Sequence, residues 1–193
     1  MTPEFLLHLS ADGIALDRRI DGDTPGWHRL GVVPLDSSNL TSDLADLRGK
    51  AGPDKSPATE VYVVLPMDQI KTMSVRALAM SRGDVAEALE GQTPYPVSQL
   101  RFDWRRHDAG SLIAAVAQDT LEEATAFAQQ HQFEAVAFVA LPGDDWGLDF
   151  AFFGGADVAN DSSAPLKLPF VMLSDADIAP PVVAAEPEPE PEP

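Results

Sequence analysis

The 193-residue chain contains no cysteine. Disulfides and thiolate metal sites are excluded, so packing and hydrogen bonds alone must hold the fold. Long apolar runs are missing too, since no stretch approaches the roughly 20 apolar residues that a membrane span needs. The opening Met1-Thr-Pro-Glu-Phe-Leu-Leu-His-Leu9 has no basic region ahead of its short apolar run and is predicted to be a strand, not an export signal. These absences predict a soluble, cytoplasmic chain, or the soluble part of something larger.

Positive charge is scarce, with 13 Lys and Arg against 31 Asp and Glu and a formal net charge of −18. A nucleic-acid binder gathers Lys and Arg to meet phosphates. Here only Arg101, Arg105 and Arg106 cluster, which excludes DNA or RNA as the main partner. The acidity itself reads as a solvated surface. Residues 1–155 hold 23 acids and 12 bases, whereas residues 156–193 hold 8 acids and the single base Lys167.

Signatures of catalysis and cofactor binding are also lacking. His8, His28, His107 and His131 are scattered, with no His-Glu-x-x-His or similar ligand spacing. No Walker loop, dinucleotide fingerprint or Gly-x-Ser-x-Gly elbow is present. Asp144-Asp145 beside Trp146 has the makings of a cation site or acid pair, but Pro142, Gly143 and Gly147 around it read as a polar hairpin loop. No catalytic residue, metal or cofactor is expected.

What is present is enough apolar content, 45%, for one core and a tail. The unbroken Glu-Pro alternation from Glu186 to Pro193 removes backbone donors and favours stiff, extended, disordered chain. Residues 1–155 are therefore predicted to be one domain, and residues 156–193 an acidic, Pro-rich linker. Within that linker Leu166–Leu173 forms an apolar island, read as an arm packed on the domain in preference to a partner motif.

In the body, Phe5–Leu9 and Ile14–Ile20 flank Asp12-Gly13, a hairpin signal, and Trp27–Val33 makes a third strand. Ser37 or Ser38 is predicted to cap a helix with Leu40, Leu44 and Leu47 on one face. Val61–Leu65 suits a buried central strand, and Gln69–Val75 another strand. Ser81 and Asp84 have capping-box spacing ahead of a helix that Pro94 and Pro96 end. In Leu100–Arg106, Leu100, Phe102 and Trp104 share one face, opposite Arg101, Asp103 and Arg105. Ser111–Ala117 is a buried strand, Thr120 is predicted to cap a third helix, and Ala135–Leu141 with Leu148–Phe153 forms a last pair. The fold class is α+β, with mixed, largely antiparallel sheets and three helices.

Val63-Val-Leu-Pro66, Ala88-Leu-Glu-Gly-Gln-Thr-Pro-Tyr-Pro96, Leu100-Arg-Phe-Asp-Trp104 and Leu112-Ile-Ala-Ala-Val116 resemble, in that order, the actin-like cytoplasmic domains of PilM and GspL. These are inner-membrane assembly proteins of type IV pili and type II secretion, relatives of the division protein FtsA. The resemblance spans residues 4 to 153 and implies part of an actin-like (ribonuclease H-like) fold, its first lobe. Actin-like ATPases place Asp-x-Gly-[Ser/Thr] at the first hairpin, whereas Ser10-Ala-Asp-Gly-Ile-Ala15 has no hydroxyl after Gly13 and reads as an Asp-Gly turn. The resemblance thus implies a non-catalytic scaffold that recruits a protein such as a secretion or pilus ATPase or another inner-membrane component. A homodimer is compatible with it. Contact is expected at Pro94, Tyr95, Pro96, Arg101 and Arg105, by strand addition or a helix in a groove. Two alternatives stay open: a degenerate nucleotide binder using Asp12 and Gly13, and a sensing or dimerising module of an unrelated multidomain protein.

Overall fold

The computed structural model describes residues 4–21, 25–52, 58–76, 80–107, 110–141, 150–155 and 171–174. Strands β1 (Phe5–Ser10), β2 (Gly13–Ile20) and β3 (Gly26–Val33) form an antiparallel meander. The Asp12-Gly13 turn joins the first two, and Gly13 is required there. Its φ is +152°, and a Cβ would stand 2.6 Å from the Val33 carbonyl oxygen.

Helix α1 (Leu40–Gly49) buries Leu44 and Leu47. Its cap differs from the expected one: Asn39 holds the N-cap position without a side-chain cap bond. Ser37 is drawn elsewhere, accepting from the Asn39 N–H at 3.1 Å and donating to Asp43 in the first turn. At the other end Lys50 Nζ donates to the Leu30 carbonyl at 3.3 Å, tying the helix to β3.

Strand β4 (Thr59–Leu65) lies parallel to β1 and to β8 (Phe133–Ala140), which explains its unbroken apolar run. Strand β9 (Ala151–Gly155) pairs antiparallel with β8. Strand β10 (Met172–Leu173) pairs parallel with Trp27 and His28 of β3, completing the order β10-β3-β2-β1-β4-β8-β9. These two residues fall in the stretch predicted to be linker. They are ordered because edge strand β3 offers free backbone groups, with Trp27 N–H donating to the Val171 carbonyl at 2.8 Å. Of the Leu166–Leu173 island only residues 171–173 are described, with Leu173 buried and Val171 and Met172 exposed, and residues 166–170 lie outside the described residues.

Between β4 and β8 the chain makes an excursion, the insertion. Met67–Gln69 is a 3₁₀ turn and not the start of a strand, so β5 begins at Lys71 and ends at Val75. Then come α2 (Arg82–Leu89), β6 (Leu100–His107) and β7 (Gly110–Ala117), giving a separate antiparallel sheet ordered β5-β7-β6. The Ser81–Asp84 capping box is formed as the spacing predicted. Helix α3 (Gln118–Gln130) follows β7 with no loop, so Ala117 is its N-cap and Thr120 sits inside the first turn without capping it. Among the described residues, five antiparallel ladders against three parallel ones make the sheets mixed and largely antiparallel, with three helices.

Two of the three apolar clusters among the described residues fix where the insertion sits. One lies between the large sheet and α1 and α3, where Leu7, Leu16, Val61, Val63 and Phe138 meet Leu44, Leu47, Leu121 and Ala128. The other is inside the insertion, where Val85 and Leu89 of α2 pack on Leu100, Phe102, Ile113 and Ala115. Strand β7 belongs to both, since Ala114 and Val116 face the first and Ile113 and Ala115 the second.

Candidate docking cleft

The Pro94–Pro96 phrase forms a rigid corner after α2. Gly91 takes φ +69°, a conformation that favours glycine, and lets the Gln92 N–H return to the Leu89 carbonyl at 3.0 Å. Thr93 then secures the corner from both sides: its hydroxyl donates to the Tyr95 carbonyl at 2.9 Å and accepts the Tyr95 N–H at 3.3 Å. Pro96 opens the 3₁₀ turn Val97–Gln99, in which the Gln99 N–H reaches the Pro96 carbonyl at 2.8 Å. With its backbone satisfied locally, Tyr95 is left 39% exposed.

This corner faces the turn after β4, and a cleft of about 260 Å³ lies between them. Gln92, Thr93, Pro94 and Tyr95 form one wall, and Asp68, Gln69 and Lys71 the other. Buried Ile70, Leu100, Ala115 and Ala117 line its apolar part, with Thr120 of α3 at the edge. The volume falls just below the usual small-molecule range of about 300–1,000 Å³. An apolar floor, a polar rim and a preorganised tyrosine suit an anchoring side chain of a protein segment.

The two arginines expected beside this corner point elsewhere. Strand alternation sends Leu100 and Phe102 into the insertion core and turns Arg101, Asp103 and Arg105 towards β9. Arg101 Nη1 donates to the Phe153 carbonyl at 3.4 Å, and Arg105 Nη2 lies 3.2 Å from Asp103 Oδ2. Asp103 also accepts the N–H groups of Phe152 at 3.0 Å and Trp104 at 2.9 Å. Burial raises its pKa, and the Phe152 amide, the Arg105 charge and the Trp104 amide only partly offset this. The structure therefore brings Pro94 and Tyr95 together with Ile70 and Lys71 at one cleft, places Pro96 just behind, and sets Arg101 and Arg105 on the opposite face of β6.

A second cavity, about 370 Å³, lies at the Asp12-Gly13 hairpin and is lined by His8, Ser10, Arg29, Val64, Pro66 and Leu141 among others. Ser10 spends its hydroxyl on the Gly13 carbonyl at 2.9 Å, closing its own turn. Beside it Asp17 is fully buried, held by Arg29 through both carboxylate oxygens and by His8 Nε2 at 2.7 Å. Burial pushes the Asp17 pKa up, but the hydrogen bonds and charges of His8 and Arg29 outweigh it and hold the carboxyl below its usual range. Sequence reading missed this network, although an aspartate within the apolar side of a strand is itself a signal. Of the other histidines, His131 packs tilted against Phe127 with ring centroids 4.7 Å apart. Among the described residues no group of three His, Asp or Glu is placed to hold a metal, and Asp144-Asp145 lies outside them. No described helix is long and apolar enough to cross a membrane.

No family model matches the chain, and no curated protein is similar to it in sequence. Solved structures are similar. The PilM-PilN type IV pilus biogenesis complex matches with a TM-score of 0.50 at 14% identity, over 70% of this chain and 46% of that one. The cytoplasmic domain of EpsL, an inner membrane component of the type II secretion system of Vibrio cholerae, matches with a TM-score of 0.44 at 14% identity, over 69% of this chain and 55% of that one. The chain thus spans about half the length of these structures. At this identity the match to the PilM-PilN complex shows a shared α+β fold and nothing beyond it.

Proposed function

We propose that the chain is a non-catalytic, cytoplasmic docking platform of the kind used in type II secretion and type IV pilus assembly. A segment of a partner protein, an assembly ATPase or another inner-membrane component, docks in the cleft at Pro94 and Tyr95. The observation that carries this reading is the cleft itself: a preorganised corner facing an apolar floor, on a fold similar to one solved in a pilus assembly complex. Immobilised chain is expected to retain a purified pilus or secretion ATPase, or an inner-membrane assembly protein from the same organism, at micromolar concentration. Retention should fall about tenfold with Tyr95→Ala, the usual weight of an interface aromatic. No retention of any of them would sink the proposal.

The cavity at Asp12 and Gly13 favours one other reading, a degenerate nucleotide site. Against it, Gly13 is explained by the hairpin and Ser10 by its bond to Gly13. Calorimetry with Mg-ATP separates the two readings. No heat of binding is expected, and binding abolished by Asp12→Ala would overturn the platform reading.

A further inference from the structure

The two sheets have four edges, and among the described residues three of them are closed. The large sheet ends at one side in β10, whose two residues are too few to template further pairing. At its other side β9 faces β6, and side chains of β6 take up its backbone groups. Asp103 Oδ2 accepts from the Phe152 N–H at 3.0 Å, and Arg101 Nη1 donates to the Phe153 carbonyl at 3.4 Å. Strand β6 is closed by the same aspartate, whose Oδ1 accepts the Trp104 N–H at 2.9 Å.

The fourth edge, the outer side of β5, is open. The order β5-β7-β6 leaves no described strand beside it, and residues 71–75 make no described hydrogen bond outside their ladder with β7. In an antiparallel pair alternate residues turn their N–H and C=O away from the partner, so β5 presents a row of unpaired backbone groups. Neither a proline nor a register shift against β7 blunts this edge.

The side chains indicate what fits there. Lys71, Met73 and Val75 share one face of the sheet with Ala115, which lies opposite Lys71. On that face Met73 and Val75 pack towards α2, and the Tyr95 cleft opens beside Lys71 and Ala115. A strand laid along β5 therefore places alternate side chains over the cleft and then against Met73 and Val75. Exposed Lys71 and Arg76 bracket the edge, with no acid between them and no described ion pair on either. In a chain of net charge −18 this is a local excess of positive charge, and it suits an acidic segment. A second copy is a poor occupant. Antiparallel pairing of β5 with itself about Met73 sets Lys71 beside Arg76 of the other copy, and these like charges repel.

We propose that the outer edge of β5 receives an extended segment of the partner protein as a fourth strand of the insertion sheet. The segment is apolar at alternate positions and carries a carboxylate near each end, to meet Lys71 and Arg76. The side chain that anchors in the cleft and the residues that pair with β5 belong to this one segment, so the partner's identity rests on the docking reading.

Hydrogen exchange on the full chain reads the edge directly. Saturation with the assembly protein retained in the capture experiment should slow the outward amides among residues 72–75 at least about tenfold. Arg76→Glu, at an exposed position outside the cleft lining, should lower retention about fivefold by reversing the charge at the far end of the segment. Retention that depends on Tyr95 but leaves β5 exchange unchanged and ignores Arg76→Glu would overturn strand addition and keep the docking cleft. If no assembly protein is retained, the docking reading fails and the edge is tested alone. The probe is then the acetylated and amidated peptide Glu-Val-Thr-Val-Thr-Val-Glu at millimolar concentration: the same slowing sustains strand addition, and unchanged exchange overturns it. Slowing that grows with chain concentration alone would give the edge to a second copy, and slow exchange in the free, dilute chain would give it to this chain itself. Either result overturns the proposal.

Discussion

The large sheet holds a fully buried aspartate, Asp17, and the insertion a partly buried one, Asp103, and the two are held in opposite ways. Asp17 sits in the sheet with two basic partners from neighbouring strands and keeps its charge down to lower pH than usual. Asp103 sits at the joint between the two units, with one basic partner and two amides, and burial dominates, so its pKa is raised. A carboxylate held by side chains of both neighbouring strands ties those strands together. At Asp103 the same kinds of partner only partly offset the cost of desolvation.

This contrast can be broken most directly in the apolar cores. Leu89→Ala, at a fully buried position of the insertion core, should cost about 3 kcal/mol. Because that core is separate, hydrogen exchange should show β5, α2 and β6 loosening before the large sheet does. Uniform loosening of both units would mean that they do not separate.

Asp17→Asn should cost about 2 kcal/mol in urea unfolding, below the value for a fully buried pair because the Arg29 side chain is 39% exposed. A cost under half of that would show that the His8–Asp17–Arg29 network does not hold the meander. Thr93→Val keeps the shape of the corner and removes both of its hydrogen bonds to Tyr95. It should cost about 1 kcal/mol and weaken partner capture with no change in the Asp17 region.

The smallest effect is in pH dependence. Asp17 binds its proton less tightly in the folded chain than in the unfolded one. Its contribution is therefore fully present above the unfolded value of about 4 and is lost as pH falls through its lower folded pKa. Asp103 binds its proton more tightly when folded, so its contribution grows as pH falls through its raised pKa towards about 4. Asp17→Asn should flatten the acid side of the stability profile, and Asp103→Asn should remove a slope of opposite sign at higher pH. Equal slopes in native chain and variants would refute both assignments.

Much of the local structure is legible in the sequence. The Phe5–Ile20 hairpin, the central Val61–Leu65 strand, the Ser81–Asp84 box and the alternation in Leu100–Trp104 follow from short-range rules, because period and capping are properties of neighbouring residues. The misplaced caps at Ser37 and Thr120 show where those rules stop. Asp43 competes for the Ser37 hydroxyl, and β7 runs into α3 with no loop for a cap to occupy. Pro94 and Tyr95 are legible as a defined turn. That they face Ile70 and Lys71 is not, since those residues precede them by more than twenty positions.

By itself, the sequence determined the element types, the absence of recognised catalytic signatures, and the acidic tail composition. Each is set by residues close together in the chain. Only the tertiary structure decided that Arg101 and Arg105 turn away from the Pro94 corner, and that Asp103 reaches an amide 49 residues further on. It also decided that His8 and Arg29 meet at the buried carboxylate of Asp17. These outcomes depend on which strand lies beside which and with what register. Burial then decides which charges must find partners, and that is a property of the packed whole.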